Sequence, residues 1–231
     1  MPYYFWGIDW TYILVILALL ISLLVQFNMK RTFQKYSQIR SASGLTGAQT
    51  AEQILRNAGI YNVRVEYIRG NLNDHYDPRT KVLKLSDPIY GSRSLAAVGV
   101  AAHECGHAIQ DAIGYGPLKL RSALVPAANF GSQLSWPLFL IGLIFSMRPL
   151  LLAGIILFCA ALLFQLVTLP VEFNASGRAL RMLESTGIMG GQETSGARKV
   201  LTAAAMTYVA AVAASLLQLL RLILLARRRD D

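Results

Sequence analysis

Charge is scarce in this 231-residue chain, with Asp, Glu, Lys and Arg together making up 15%, against about 25% in ordinary soluble domains. Acidic residues are the scarcer kind, 13 against 22 Lys and Arg, for a formal net charge of +9. Cysteine is nearly absent. Cys105 lies inside a helical motif and Cys159 inside an apolar run, so neither a disulfide framework nor a CxxC zinc site is expected, and a reducing compartment suits both. There is no internal repeat and no low-complexity tract, which excludes solenoid and collagen-like chains, and the low polar content excludes a disordered one. No Lys or Arg precedes residue 30 and no small-residue cleavage site follows the first apolar stretch. The stretch therefore reads as retained and not as a removable signal peptide.

What is present is apolar, 54% of the residues. Residues 10–29, 122–147, 149–171 and 200–220 contain no charge, and each is near or above the ~20 residues that cross hydrocarbon as a helix. About four transmembrane helices are expected. Lys30, Arg31, Lys35 and Arg40 follow the first stretch, and the positive-inside rule puts them in the cytoplasm with the N-terminus outside. Arg148 and Pro149 alone separate the second and third stretches, a tight hairpin with the proline as breaker, and Arg178, Arg181, Arg198 and Lys199 follow the return. A fourth crossing would carry Arg227, Arg228 and Arg229 outside, against the same rule, so the side of the C-terminus is left open. Arg221 can snorkel to headgroups.

Between the first two stretches, Thr46 and Gln49 have the spacing of a capping box, and the helix they open should stop near Asn57 with Gly59 just beyond. Residues 63–68 and 80–85 read as two short strands, with Asp77-Pro78-Arg79 as a turn. Residues 94–113 read as an apolar helix ended by Gly114 and the Gly116-Pro117 pair. The expected organisation is an N-terminal transmembrane helix (1–29), a membrane-proximal catalytic region (30–121), a transmembrane hairpin (122–171), a metal-ligand helix and connector (172–199), and a C-terminal apolar helix with a basic tail (200–231).

The chemistry sits in the 94–113 helix as His103-Glu104-Cys105-Gly106-His107. Four-residue spacing puts His103 and His107 on one helix face, where two imidazoles can hold one Zn²⁺. Glu104, offset by about 100°, can address a water at that metal and act as its general base. Cys105 points away and reads as a small core residue. A catalytic zinc needs a third protein ligand. Glu172 ends the third apolar stretch, and the intervening hairpin returns it to the membrane face where His103 lies, so topology favours it; His75 and another carboxylate are the alternatives. His75 in its polar turn, Arg178 and Arg181 are candidate contacts for substrate or transition state.

These residues resemble a known family. HECGHAIQ, LPVEFNAS after a hydrophobic hairpin, and the upstream SGLTGAQTAEQIL, DHYDPRTKVLKLSDPIY and LRSALVPAANFGSQLSWPLFLIG are similar to the YugP-type neutral zinc metallopeptidases of bacterial membranes, over nearly the whole chain. HExxH followed by a membrane hairpin and a Glu more distantly resembles HtpX and the CAAX prenyl endopeptidases, whose metal ligands are two His and one Glu. The resemblance implies Glu172 as third ligand. In that wider group the Glu opens an ExxxD pattern, whereas Ser176 stands here at the last position. A hydroxyl can hydrogen-bond there but supplies no negative charge, and no Asp role is carried to it.

The expected protein is a mainly α integral membrane protein with a small zincin-like α+β catalytic region facing the cytoplasm of a bacterial cell. Its expected activity is gluzincin-like peptide-bond hydrolysis with one Zn²⁺ per chain, on membrane proteins or membrane-proximal peptides. The bilayer and a peptide substrate are the expected partners. Nucleic acid is not, because the basic residues are scattered among acids and no reading motif occurs. An extended substrate would add to residues 80–86 as a sheet edge. A catalytically silent, metal-stabilised membrane scaffold is the rival reading, and a transporter ranks behind it.

Overall fold

The first apolar stretch forms α1 (Tyr12–Ser37) in the computed structural model, which describes residues 9–227. Asp9 opens this helix by accepting the Thr11 N–H and hydroxyl. Ile13, Ile16, Leu20, Leu23, Leu24 and Phe27 are exposed along one face, at helical spacing, while Leu14, Val15, Ala18 and Ser22 on the opposite face are half-buried, so α1 offers an apolar face of the kind that meets lipid. The rest of the chain forms α2 (Gly47–Asn57), β1 (Arg64–Tyr67), β2 (His75–Asp77), β3 (Val82–Leu85), α3 (Asp87–Tyr90), α4 (Leu95–Ala112), α5 (Gly116–Ile144), α6 (Arg148–Ser185) and α7 (Gln192–Arg227). Among the described residues, α1, α6 and α7 are long and apolar enough to cross a membrane. The expected 122–147 span falls in α5, where Asn129, Ser132, Gln133, Ser135 and two prolines, Pro126 and Pro137, interrupt the apolar run. The N-terminal residues 1–8 and the tail 228–231, with Arg228 and Arg229, lie outside the described residues.

Contacts divide the chain into two units. One holds the chain up to Gln26, Leu120–Leu169, and the chain from Thr207. In it α5 and the first part of α6 pair as an antiparallel hairpin whose backbones touch through glycine. A Cβ on Gly131 would lie 2.4 Å from the Leu157 carbonyl oxygen, and one on Gly154 would lie 2.8 Å from that of Ser135. Small residues allow such close packing where lipid supplies no hydrophobic drive between helices. The expected proline break is instead a turn at Ser146, with φ +57, and Pro149 sits in the first turn of α6. A proline is tolerated there because its missing N–H would have had no helical acceptor. Arg221 stacks over the Tyr12 ring at 4.2 Å, and Ser215 donates to Gln165 at 2.9 Å.

The other unit, Phe27–Lys119 with Pro170–Met206, carries the sheet and the HExxH helix. The α2 capping box forms as read: Gln49 N–H donates to Thr46 Oγ1 and Thr46 N–H to Gln49 Oε1, and Gly59 takes the left-handed conformation at φ +71. Such a cap is worth about 1 kcal/mol. Helix α4 starts at an N-cap, Ser94, whose hydroxyl accepts the Ala97 N–H. It is the centre of this unit. Thirteen of its eighteen residues are buried, packed with Ile54, Leu83, Leu85, Ile89, Leu183 and Met189 in one core cluster.

The three strands lie in the order β1-β3-β2, with β1 parallel and β2 antiparallel to β3. Two sequence expectations are corrected here. The segment around His75 is a strand and not only a polar turn, because Tyr76 and Asp77 pair with Leu83 and Val82. Residues 80–86 are no edge, since β3 has a neighbour on both sides and its ladder groups are taken; β1 and β2 are the edges. The Asp77-Pro78-Arg79 turn does form, with the Asp77 carboxylate accepting from Arg79 N–H and the Thr80 hydroxyl.

Candidate metal centre

Gly106 decides how closely α4 meets the second part of α6. A Cβ on it would lie 2.4 Å from the Ala175 carbonyl oxygen and 3.1 Å from its Cα, so the helix backbones are in direct contact at this point. The contact brings His103, about one turn before Gly106, and His107, the next residue, against Glu172, about one turn before Ala175. Glu172 Oε2 lies 3.2 Å from His103 Nε2 and 3.6 Å from His107 Nε2. One ligand atom from each of the three residues falls within 4.8 Å of the others, and Glu172 is 2% exposed.

The remaining ring nitrogens are held from behind. His103 Nδ1 meets the Ser176 hydroxyl at 3.1 Å, and His107 Nδ1 meets Gln110 Oε1 at 3.0 Å. The second contact fixes a tautomer. Gln110 Nε2 donates to the Val171 carbonyl at 2.8 Å and to Asn174 Oδ1 at 3.0 Å, and Arg178 Nε donates to the same Asn174 oxygen at 2.7 Å. A guanidinium only donates and a peptide carbonyl only accepts, so both amide orientations are set at their far ends. Gln110 therefore turns its oxygen to His107, Nδ1 carries the proton, and in the neutral ring Nε2 is a lone pair aimed at a carboxylate oxygen. Two facing acceptors repel unless a cation or an added proton lies between them.

A metal ion satisfies this arrangement. Two imidazole nitrogens and one carboxylate oxygen are a zinc donor set, and zinc bond lengths of about 2.0–2.2 Å imply donor separations of about 3.4 Å at tetrahedral angles. The two nitrogen–oxygen separations, 3.2 and 3.6 Å, bracket that value. The donor set and its spacing fit a zinc ion.

Glu104 stands beside the cluster, 7% exposed, on the side facing β2, and accepts the Tyr76 N–H. Burial pushes its carboxyl up to about 7, with the negative charges of Glu172 and Asp74 adding to the rise while His103 and the Tyr76 N–H oppose it. Asp74 is itself anchored by Ser86, which donates both N–H and hydroxyl to it. Tyr76 ties β2 to α4 through its hydroxyl bond to Asp111, at 2.6 Å, which also pairs with Lys81.

The other singled-out residues are placed as follows. His75 opens β2, is exposed, donates Nδ1–H to the Asn73 carbonyl at 2.9 Å and lies outside the three-residue cluster. Arg178 is joined to the cluster only through Asn174 and Gln110, and it lies over the Tyr115 ring at 5.8 Å. Arg181 is exposed. Cys105 is buried with Sγ against the Ala51 carbonyl, and burial raises its thiol well above the ordinary range, so it is inert core. Sequence reasoning missed Gln110 and Asn174. The signal was there: Gln110 is three residues after His107, on the same helix face.

A two-imidazole, one-carboxylate cluster, buried except for the half-buried His103, with a second carboxylate beside it, in a chain with three helices of membrane length, is what a membrane-anchored metallopeptidase needs. The chain belongs to the family described as "putative neutral zinc metallopeptidase", which matches residues 11–227. It is 50% identical over 212 residues to the "Putative membrane protease YugP" of Bacillus subtilis (strain 168), covering 92% of this chain and 94% of that protein. No solved structure matches it.

Proposed function

We propose that this protein is a zinc-dependent endopeptidase of the bacterial cell membrane in which His103, His107 and Glu172 hold one zinc ion and Glu104 is the general base. The observation that carries the reading is the convergence of those three donor atoms around one point, with an independent carboxylate alongside. Zinc bound there supplies a Lewis acid that polarises the scissile carbonyl and makes a nearby water acidic enough to ionise near neutral pH. Glu104, buried and poised close to 7, takes a proton from the attacking water and returns it to the leaving amine. Tyr76 N–H fixes the carboxylate for that transfer. Gln110, with Asn174 and Arg178 behind it, holds His107 in the tautomer that presents Nε2, and the Ser176 hydroxyl orients His103. The exposed His75 on the edge strand β2, and Arg181, are the candidate substrate contacts.

The topology we propose has four crossings, with α5 joining α1, α6 and α7, and the HExxH region in the cytoplasm. It rests on the basic residues Lys30 to Arg40 and Arg178 to Lys199. Substrates are membrane proteins or membrane-proximal peptides, because α6 passes from its apolar run directly into the segment that carries Glu172. The test is zinc per chain in detergent-purified wild type, Glu172→Ala and Glu104→Gln, together with cleavage of membrane proteins by comparative proteomics. We expect near one zinc in wild type, a sharp fall in folded Glu172→Ala, and zinc retained but cleavage lost in Glu104→Gln. A wild type that takes up no zinc on reconstitution would overturn the zinc site, a zinc-loaded wild type that cleaves nothing would replace the enzyme with a metal-stabilised scaffold, and Glu104→Gln that cleaves normally would remove Glu104 as the general base.

A further inference from the structure

Four cations that the metal centre does not use line one groove of about 510 Å³. Arg31 and Lys35 come from α1 and Arg198 and Lys199 from α7, with the hydroxyls of Thr32 and Thr202 between them. The spacings 31, 32, 35 and 198, 199, 202 each describe one helix face. Among the described residues none of the four cations pairs with a carboxylate. The acid nearest in sequence, Glu193, is taken by the Ala42 N–H at 2.7 Å. The walls are fixed: Tyr36 is buried, and a Cβ on Gly196 would lie 3.0 Å from its ring. Like charges gathered on a rigid scaffold repel, and an anion between them relieves that repulsion.

We propose that this groove binds a phosphate-bearing anion, and that the phosphate belongs to the headgroup of an anionic phospholipid. Arg31 and Lys35 follow the charge-free residues 10–29, and Arg198 and Lys199 immediately precede the charge-free residues 200–220. Both pairs thus stand at the ends of apolar runs, the depth at which headgroup phosphates lie and where basic pockets between helices take them. Guanidinium forks match phosphate oxygens in pairs, and two threonine hydroxyls complete the donors.

The test uses the full chain purified in a neutral detergent, with lipid binding read by native mass spectrometry. Phosphatidylglycerol should bind and phosphatidylcholine at least tenfold more weakly. Arg31→Gln/Arg198→Gln should weaken phosphatidylglycerol about 25-fold, at about fivefold per cation. Arg56→Gln/Arg64→Gln, which takes the same charge off the surface of α2 and β1, should change nothing. If circular dichroism shows that the first pair fails to fold, Lys35→Gln/Lys199→Gln carries the same expectation. Equal binding of phosphatidylcholine, or an equal loss in the control pair, would overturn the groove as a phosphate site. Displacement of lipid by millimolar inorganic phosphate would overturn the lipid assignment and leave a site for free phosphate.

Discussion

Alanine at Gly106 is the sharpest perturbation the structure offers, because this residue sits between the two histidines yet touches neither donor. Its added Cβ would stand 2.4 Å from the Ala175 carbonyl oxygen, whereas carbon–oxygen contacts settle at about 3.3 Å or more. The backbones must part by roughly 1 Å. Two donors ride on α4 and the third on α6, and metal–ligand distances tolerate only about 0.2 Å. Loss of an orienting partner alone lowers metal affinity by about 10–100-fold, and displacing the donors themselves should reach at least the upper end of that range. Overpacking adds about 1–3 kcal/mol of destabilisation. Gly99, two turns earlier in α4, is the control: its Cβ would meet Ala197 Cβ at an ordinary 3.4 Å, so Gly99→Ala should keep zinc and gain slightly from helix propensity. Zinc affinity by chelator competition in detergent, with thermal melts of both variants, reads the difference. Gly106→Ala with wild-type affinity, or Gly99→Ala with an equal loss, would refute the claim that backbone contact at Gly106 sets the donor spacing.

Gln110→Leu keeps side-chain bulk but removes the acceptor for His107 Nδ1–H, and zinc affinity should fall about 10–100-fold in the folded protein; unchanged affinity would show that the tautomer needs no such partner. At Ser176 the two substitutions should diverge. Ser176→Ala weakens zinc binding severalfold, and Ser176→Asp, by placing a charge on His103 Nδ1–H, strengthens it, both measured by the same competition. Gly47→Ala should destabilise by about 1–3 kcal/mol, since its Cβ would lie 2.3 Å from the Ile89 carbonyl oxygen. Chemical denaturation should register that loss while zinc affinity of the folded fraction stays constant.

Local geometry explains which parts of this protein could be read directly. The α2 capping box, the Ser94–Gly114 limits of the HExxH helix and the inward face of Cys105 depend on residues within one or two turns, so spacing alone indicates them. The sheet was harder. With only three paired residues, β2 is too short for alternation to separate it from a turn, and strand order depends on partners distant in sequence, so the sequence suggests an edge at β3 where the sheet has its centre. The turn at Ser146 was displaced from Pro149 because proline is as acceptable at a helix start as after a helix end.

The sequence by itself determined the class of chemistry: two histidines one turn apart with an intervening glutamate, on a helix, in a chain rich in apolar runs. Periodicity along one backbone suffices for that. Topology and the family resemblance also pointed to Glu172 as the third donor, but not to one carboxylate oxygen lying against both imidazoles, nor to the line of donors and acceptors that Gln110, Asn174 and Arg178 form behind His107. The contacts that close the site, Glu172 on His103 and Gln110 on Val171 and Asn174, join residues more than sixty positions apart, and they exist because Gly106 lets two backbones meet closer than any side chain would allow. Tertiary packing sets distances between segments, and a metal centre is a statement about such distances.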